Sequence, residues 1–204
     1  MLVIVNYHCG NLGSIRNMLA KIGAGEVRVS DDRADIAAAD KLILPGVGHF
    51  DTGMGSLRSL GLEPVLREAA LERRIPVLGI CLGMQLLFPD SEEGSEPGLG
   101  LVPGRIVRFR TAEAPGLKVP HMGWNTVEPT PGSRMFGRPE EEISFYFVHS
   151  YHAECDDPAH VAGWTRHGYD FASAVECANI WGTQFHPEKS HRYGMRLLQH
   201  FLEQ

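Results

Sequence analysis

The sequence has 204 residues, of which 43% are hydrophobic and 22% charged, a composition typical of a folded globular protein and not of a disordered chain. Nineteen basic and 25 acidic residues give a net charge of −6 without long runs of like charge, which argues against a nucleic-acid binder or a membrane-surface binder. Four widely separated cysteines with no C-x-x-C pair argue against a disulfide scaffold and a cysteine-type zinc site.

The amino terminus, MLVIVNYHCGN, has a short apolar run but no basic segment and no small-residue cleavage site, so it does not resemble a signal peptide. No segment approaches the roughly 18 apolar residues that a membrane span needs. We therefore expect a cytoplasmic protein whose thiols are reduced.

The first half of the sequence alternates between predicted strands and predicted helices. Short apolar runs bounded by Gly or Pro predict buried strands at 2–5, 41–45 and 76–80. Apolar residues at helical spacing predict helices at 14–22 and 62–73. Such alternation indicates an α/β fold with an open, mostly parallel sheet flanked by helices.

After Pro89 the pattern changes to turn residues and β-type runs, which predict antiparallel or mixed strands added in the C-terminal half. A closing helix is predicted after Ser190, which would cap it, with Met195, Leu198 and Leu202 on one face. No repeat or linker interrupts the sequence, so residues 1–204 are expected to form a single domain. The predicted late strands are RIVRF (105–109), ISFYFVHSYHAE (143–154), HVAGWTR (160–166), FASAVE (171–176) and NIWGTQF (179–185).

The segment Gly79-Ile80-Cys81-Leu82-Gly83 lies between a predicted strand and an apolar, helix-like run. The pattern G-x-nucleophile-x-G is typical of a nucleophile elbow, a sharp turn that exposes a reactive side chain. The following helix would stabilise a thiolate at Cys81, and the Leu82 N–H would point toward a developing oxyanion. A buried structural cysteine is an equally good interpretation of these five residues alone.

The segment QFHPEKS offers a base and an orienting partner for such a thiol. His186 and Glu188 are two residues apart, so in an extended segment they would project to the same side. Glu188 could then accept the Nδ1–H of His186, which leaves Nε2 free to take the proton of Cys81. The competing interpretation is a turn with both side chains in solvent.

The loop Pro45-Gly46-Val47-Gly48 follows a predicted strand, and its backbone N–H groups could supply a second oxyanion donor. On its own this pattern is more often a simple turn. The loop, the elbow and the H-P-E segment all follow predicted strands, and open α/β sheets bind ligands at the carboxyl ends of their strands.

The histidines do not predict a metal site. His149 and His152 would point to opposite faces of an extended segment, and His49, His121 and His191 have no evident co-ligands in sequence. Neither a Walker loop nor a dinucleotide-binding G-x-G-x-x-G is present, so no cofactor is expected.

Taken together, GICLGMQLL (79–87), LPGVG (44–48) and GTQFHPEKS (182–190) resemble class I (triad) glutamine amidotransferases. The resemblance narrows to the glutaminase subunits of imidazole glycerol phosphate synthases and covers nearly the whole chain. The segments that carry the narrower resemblance are GNLGSIRNML (10–19), LPGVGHFDTGM (44–54), VPHMGWN (119–125) and YFVHSYH (146–152).

This resemblance implies a flavodoxin-like, class I amidotransferase fold and a catalytic triad of Cys81, His186 and Glu188. Cys81 would attack the side-chain amide of L-glutamine, His186 would protonate the departing ammonia, and water would hydrolyse the glutamyl thioester. Further positions that match the family are Gln85, Val47, Gly48, Ser150 and Tyr151 for substrate binding, and Leu82 and Val47 for the oxyanion.

The resemblance also implies a heterodimer in histidine biosynthesis. Ammonia would pass to a cyclase subunit of (β/α)8 barrel fold, which makes imidazole glycerol phosphate and AICAR. Positions that match the family's subunit interface are Asn11, Met122, Trp124 and Lys189. His8 and Cys9 depart from the family's usual Asp, Tyr, Gly run before Gly-Asn, which affects the expected interface contacts but not the triad.

Three other functions remain possible from the sequence. The same triad could serve another synthase, of the anthranilate or carbamoyl phosphate type, although VPHMGWN and GNLGS count against it. The chain could be a non-catalytic interaction subunit, although the three triad positions are filled. A cysteine hydrolase acting on esters or peptides is disfavoured by Gln85 and by the H-P-E order.

Overall fold

Eleven strands form one sheet in the computed structural model, which describes residues 1–112, 114–138 and 141–204. The strands are β1 (Leu2–Val5), β2 (Val27–Ser30), β3 (Lys41–Gly46), β4 (Val77–Cys81), β5 (Gly104–Arg108), β6 (His121–Pro129), β7 (Ile143–His149), β8 (Tyr151–Cys155), β9 (Val161–His167), β10 (Tyr169–Cys177) and β11 (Ile180–Thr183).

The helices are α1 (Leu12–Lys21), α2 (Arg33–Ala38), α3 (Phe50–Ser59), α4 (Leu62–Arg67), which continues as a π-helical turn over Glu68–Glu72, α5 (Leu82–Gln85) and α6 (His191–Leu202). Short 3-10 turns cover Pro158–His160 and Pro187–Lys189. Among the described residues, no helix is long and apolar enough to cross a membrane.

The sheet has a parallel part and an antiparallel part. The strands β2, β1, β3, β4 and β11 pair in that order and run parallel. Beyond β11 the order continues through β10, β9, β6 and β7 with antiparallel pairing, and β8 joins β10 to β5. The predicted α/β architecture, with added antiparallel strands in the C-terminal half, is confirmed.

Two apolar cores cover the two faces of the parallel strands. Residues alternate along β1, so that Val3 and Val5 face one core while Leu2 and Ile4 face the other. The first core holds the buried residues of α2, α3 and α4, and the second holds those of α1 and α6. Helices on both faces leave the carboxyl ends of the strands open at one edge.

Every strand predicted from an apolar run is present, as are both predicted early helices. Four elements had no prediction: β2, α2, α3 and β6. Two are short, β2 with four residues and α2 with six, and α3 carries two glycines that weaken its intrinsic helix preference. Buried Phe50, Met54 and Leu57 hold α3 against the core in spite of those glycines.

The predicted capping role of Ser190 is wrong. Ser190 lies at the start of α6, but its side chain makes no bond to the helix. Its hydroxyl instead donates to the carbonyl of His186 at 2.6 Å and accepts from the N–H of Tyr146 at 3.0 Å. Of the predicted apolar face of α6, only Leu198 is fully buried, in company with Leu197 and Phe201.

Candidate active site

A sharp turn joins β4 to the one-turn helix α5 and places Cys81 at its apex. Cys81 has φ of +53° and ψ of −110°, a strained conformation for a residue with a side chain. A Cβ on Gly83 would overlap the carbonyl oxygen of Leu44, and one on Gly79 would approach the Gly83 carbonyl oxygen to 2.7 Å. Both glycines are therefore required by the close packing of the turn, which supports the elbow interpretation of the motif.

Cys81 is only 7% exposed, so the expectation that the elbow would present it openly is wrong. The apolar residues around it in β4 and α5 are fully buried. Cys81 instead lines a cleft together with Leu82 and Gln85.

The pairing of the strands brings two loops to the turn that contains Cys81. Gly46 lies opposite Cys81 in the β3–β4 pair, so the Pro45–Gly48 loop starts beside the thiol. Thr183 lies opposite Ile80 in the β4–β11 pair, so the residues after β11 also emerge there. Parallel strands thus assemble at one edge the three segments that are far apart in sequence.

His186 and Glu188 form a buried pair in which Nδ1–H of the imidazole donates to Oε1 of the carboxylate at 2.8 Å. Both side chains are almost inaccessible, with 2% and 3% of their surface exposed. This excludes the competing interpretation, in which both side chains lie in solvent. The expected extended geometry is wrong beyond His186, since Pro187–Lys189 forms a 3-10 turn. This turn brings the carboxylate back to the ring.

The charge state of His186 depends on its two neighbours. Burial alone would lower the pKa of His186, but Cys81 and Glu188 stabilise the imidazolium more strongly and raise that pKa from 6.5 to about 9. Nε2 of His186 is buried and makes no hydrogen bond to any described residue. An unpaired Nε2 beside a thiol is the arrangement that proton exchange with that thiol requires.

We expect the protein to lose stability as pH rises from 6.5 through about 9, because the folded state holds the His186 proton more tightly than the unfolded chain does. The stabilisation by His186 is fully present below pH 6.5. By about pH 9 the free energy of unfolding has fallen by on the order of 3 kcal/mol. Urea unfolding of the wild type and of His186→Gln between pH 6 and 9.5 measures it. Parallel curves for the two proteins would contradict this assignment.

The Pro45–Gly48 loop forms one wall of the cleft. Val47 is 46% exposed, and Gly48 has φ of +120°, a conformation that disfavours any residue with a side chain. A Cβ on Gly46 would overlap the hydroxyl of the fully buried Tyr7, so the start of the loop is tightly packed. Val47, Gly48 and Leu82 all line the cleft with Cys81.

The cleft has a volume of about 290 Å³, which suits a ligand of amino-acid size. Ser150 and Tyr151 form another wall of the cleft. They lie where the predicted run 143–154 breaks into two strands, β7 and β8, which pair with different neighbours. The structure therefore brings together the nucleophile candidate, the loop and the predicted substrate-binding residues.

Gln85 lies one turn after Cys81 and lines the same cleft. Its side-chain amide donates to the Tyr151 carbonyl at 3.4 Å and to Oε1 of Gln184 at 3.1 Å. Gln184, which is fully buried, donates in turn toward the sulfur of Cys81 at 3.8 Å. Sequence reasoning did not single out Gln184, although its position two residues before His186 was a usable signal.

One expectation about the histidines is wrong. His149 and His152 do not point to opposite sides, since the rings of both lie against Phe109 with centroids 5.2 and 4.8 Å away. His121 Nδ1 lies 2.9 Å from Nε2 of His149. Among the described residues, no group of three or more His, Cys, Asp or Glu side chains could hold a metal ion.

The remaining predicted residues are surface residues. Met122 is 63% exposed and Trp124 50% exposed, and Asn11 and Lys189 are also exposed. Trp124 stacks on His191 at 5.5 Å and approaches Tyr146, whose ring lies 5.5 Å from the ammonium of Lys189. Met122 and Trp124 follow Pro120, which lines the cleft, so the exposed face of β6 adjoins the cleft rim.

Comparison with known proteins agrees with this arrangement. The glutamine amidotransferase class-I family model matches residues 3–204. The chain is 45% identical over 204 residues to imidazole glycerol phosphate synthase subunit HisH 2 of Methanococcus maripaludis, covering 100% of both chains. It is 47% identical to the subunit HisH 2 of Pseudomonas aeruginosa, covering 100% of this chain and 99% of the other.

A crystal structure of a glutamine amidotransferase has the same fold, with a TM-score of 0.76 at 21% identity, over 98% of this chain and 97% of the other. At that level of identity the structural likeness concerns the fold.

Proposed function

The chain belongs to the class I glutamine amidotransferase family, and we propose that it is the glutaminase subunit of an imidazole glycerol phosphate synthase. One observation of the structure carries the enzymatic part: a buried cysteine at positive φ interacts with a buried histidine whose Nδ1–H is bonded to a glutamate. The full-length similarity to synthase subunits supports the choice of acceptor over the anthranilate and carbamoyl phosphate types.

In the proposed reaction, the sulfur of Cys81 attacks the carboxamide carbon of L-glutamine. His186 takes the thiol proton on Nε2 and returns it to the departing nitrogen, so that ammonia leaves and a glutamyl thioester remains. Water then adds to the thioester with His186 as base, and glutamate is released. The net reaction is glutamine and water to glutamate and ammonia.

The other residues that match the family have proposed parts in this reaction. Glu188 keeps the imidazole in the required tautomer and stabilises its charged form. The N–H groups of Leu82 and Val47 stabilise the oxyanion. Gln85, Gly48 and the Ser150–Tyr151 backbone bind the glutamine.

The partner is proposed to be the cyclase subunit of the synthase, of (β/α)8 barrel fold, which would receive the ammonia. The exposed apolar side chains of Met122 and Trp124 are suited to a protein interface, since they adjoin the rim of the cleft. Docking on this face would cover the cleft and keep ammonia from the solvent. Asn11 and Lys189 would contribute polar contacts at the edge.

We expect glutamate release to rise at least about tenfold when both the cyclase subunit and its nucleotide substrate are present, compared with the chain alone. The physical reason is the Pro45–Gly48 loop, which is exposed at Val47 and can be reset by a partner at the rim. Coupled measurement of glutamate with each component omitted in turn tests this. A high rate that no partner changes would contradict the subunit assignment while leaving the glutaminase assignment.

A further inference from the structure

Two buried histidines connect strand β6 to the wall of the cleft. His121 belongs to β6 and is 4% exposed, and His149 ends β7 and is 6% exposed. His121 Nδ1 lies 2.9 Å from His149 Nε2, and His149 Nδ1 lies 2.7 Å from the carbonyl oxygen of Tyr151. We call His121 and His149 the histidine pair.

The hydrogen-bond direction at the β6 end is set by Asn125. The Oδ1 of Asn125 accepts from the N–H of Thr126 at 2.8 Å, and its Nδ2 donates to the carbonyl of Arg166 at 2.9 Å, which fixes the amide orientation. The same Nδ2 lies 3.0 Å from His121 Nε2. His121 Nε2 must therefore accept, and the proton of a neutral His121 sits on Nδ1.

The direction at the cleft end is set independently by Tyr151. A carbonyl oxygen can only accept, so His149 must carry its proton on Nδ1 and leave Nε2 as an acceptor. This acceptor faces the Nδ1–H donor of His121. The constraints from Asn125 and Tyr151 therefore agree on a donor at His121 and an acceptor at His149 in the contact between the two rings. All three hydrogen bonds then run in one direction, from Asn125 to Tyr151, with both rings neutral.

The surroundings of the pair favour the neutral rings. Burial is the largest of the effects that together lower the pKa of His121 to about 4 and that of His149 well below its ordinary value. His121 also stacks on His167, with centroids 4.1 Å apart, and this neighbour disfavours a charge on His121 further. Protonation of either Nε2 would place two donors against each other.

We propose that His149, oriented by His121, is a positioning residue that holds the Tyr151 carbonyl and thereby shapes the glutamine-binding wall of the cleft. The Tyr151 carbonyl also accepts from the amide of Gln85, so one oxygen ties the wall to the helix that follows Cys81. The inference rests on the proposed function, because it concerns the binding of the same substrate.

Two pairs of amide substitutions separate this role from simple core filling. The Nδ2 of an asparagine can occupy the place of an imidazole Nδ1, whereas a glutamine amide reaches the place of Nε2. His149→Asn therefore keeps a donor for Tyr151, and His149→Gln loses it. By the same reasoning, His121→Asn keeps a donor for Nε2 of His149, and His121→Gln loses it.

The test measures KM and kcat for glutamine in the complex with the cyclase subunit and its nucleotide substrate. We expect His149→Gln to raise KM about tenfold, equivalent to about 1.4 kcal/mol, and to change kcat less than about threefold, since lost wall contacts affect ground and transition states alike. His149→Asn should raise KM less than about threefold. Likewise, His121→Gln should raise KM more than His121→Asn does.

His152 provides the matched control. It is equally buried against Phe109, but its Nε2 bonds the hydroxyl of Tyr169, which lies outside the cleft. His152→Gln should lower thermal stability and leave KM unchanged. Equal KM effects of the Asn and Gln variants at both positions, or a KM effect of His152→Gln as large as that of His149→Gln, would overturn the proposal.

A wild-type complex without glutaminase activity would instead contradict the proposed function. If a variant of His149 does not fold, the His121 variants decide the question. Nitrogen NMR of histidine-labelled protein gives a second readout, which should show both rings neutral with the proton on Nδ1; a proton on Nε2 of either ring would also overturn the proposal.

Discussion

Cys81→Ala is expected to abolish glutamine hydrolysis, lowering the rate of glutamate release by at least about 1,000-fold. The methyl group cannot form the thioester, and no other thiol lines the cleft among the described residues. The fold should survive, because alanine is smaller than cysteine and is tolerated at a site already surrounded by apolar side chains. Glutamate release in the complex with the cyclase subunit measures the effect.

Two controls distinguish lost chemistry from lost structure. Cys177→Ala removes a half-buried thiol outside the cleft and should leave glutamate release unchanged. Ammonium salt added to the Cys81→Ala complex should restore formation of imidazole glycerol phosphate, since the cyclase then needs no glutaminase. Retained hydrolysis in Cys81→Ala would mean that another group is the nucleophile.

His186→Gln is expected to reduce glutamate release by roughly 100- to 10,000-fold, the range typical of a lost general acid and base. The variant loses the group that exchanges a proton with Cys81 and the leaving nitrogen. A glutamine amide reaches the place of Nε2 and not that of Nδ1, so the bond to Glu188 is lost as well. Steady-state kinetics should show the loss in kcat, with KM changed far less.

His200→Gln is the matched control for this substitution. His200 is half-buried in α6 and bonds the Met135 carbonyl at 2.9 Å, so its loss removes a comparable hydrogen bond away from the cleft. Its activity should match the wild type. A His186→Gln variant with near-normal kcat would show that this imidazole takes no part in the chemistry.

The parallel half of the fold could be predicted because its signals are local. A run of four to six apolar residues bounded by Gly or Pro, as in 41–45, is too short for a helix and predicts a buried strand, and the observed β3 agrees. The H-P-E and G-x-C-x-G patterns likewise depend on neighbouring residues. They predicted which side chains meet because parallel strands end at one edge of the sheet.

The remainder depends on contacts between distant segments. No local pattern marks the break at Ser150, since 143–154 is uniformly β-type and only pairing with β6 on one side and β5 on the other divides it. The bond between Gln184 and Gln85 and the contact of His121 with His149 join residues at least 28 positions apart. The burial of Cys81 depends on the layers packed around it. Ser190 shows the same limit, because its hydroxyl serves the His186 turn instead of its own helix.

Covalent labelling with a diazoketone analogue of glutamine tests the central claim most directly, namely that Cys81 is the nucleophile of a glutaminase. Burial raises the pKa of each of the other thiols, Cys9, Cys177 and Cys155, the last to about 12, which makes them poor competitors. Mass spectrometry of the labelled complex should find one adduct, on the peptide that contains Cys81, and excess glutamine should prevent it. An adduct on another residue, or labelling that glutamine does not slow, would contradict the account.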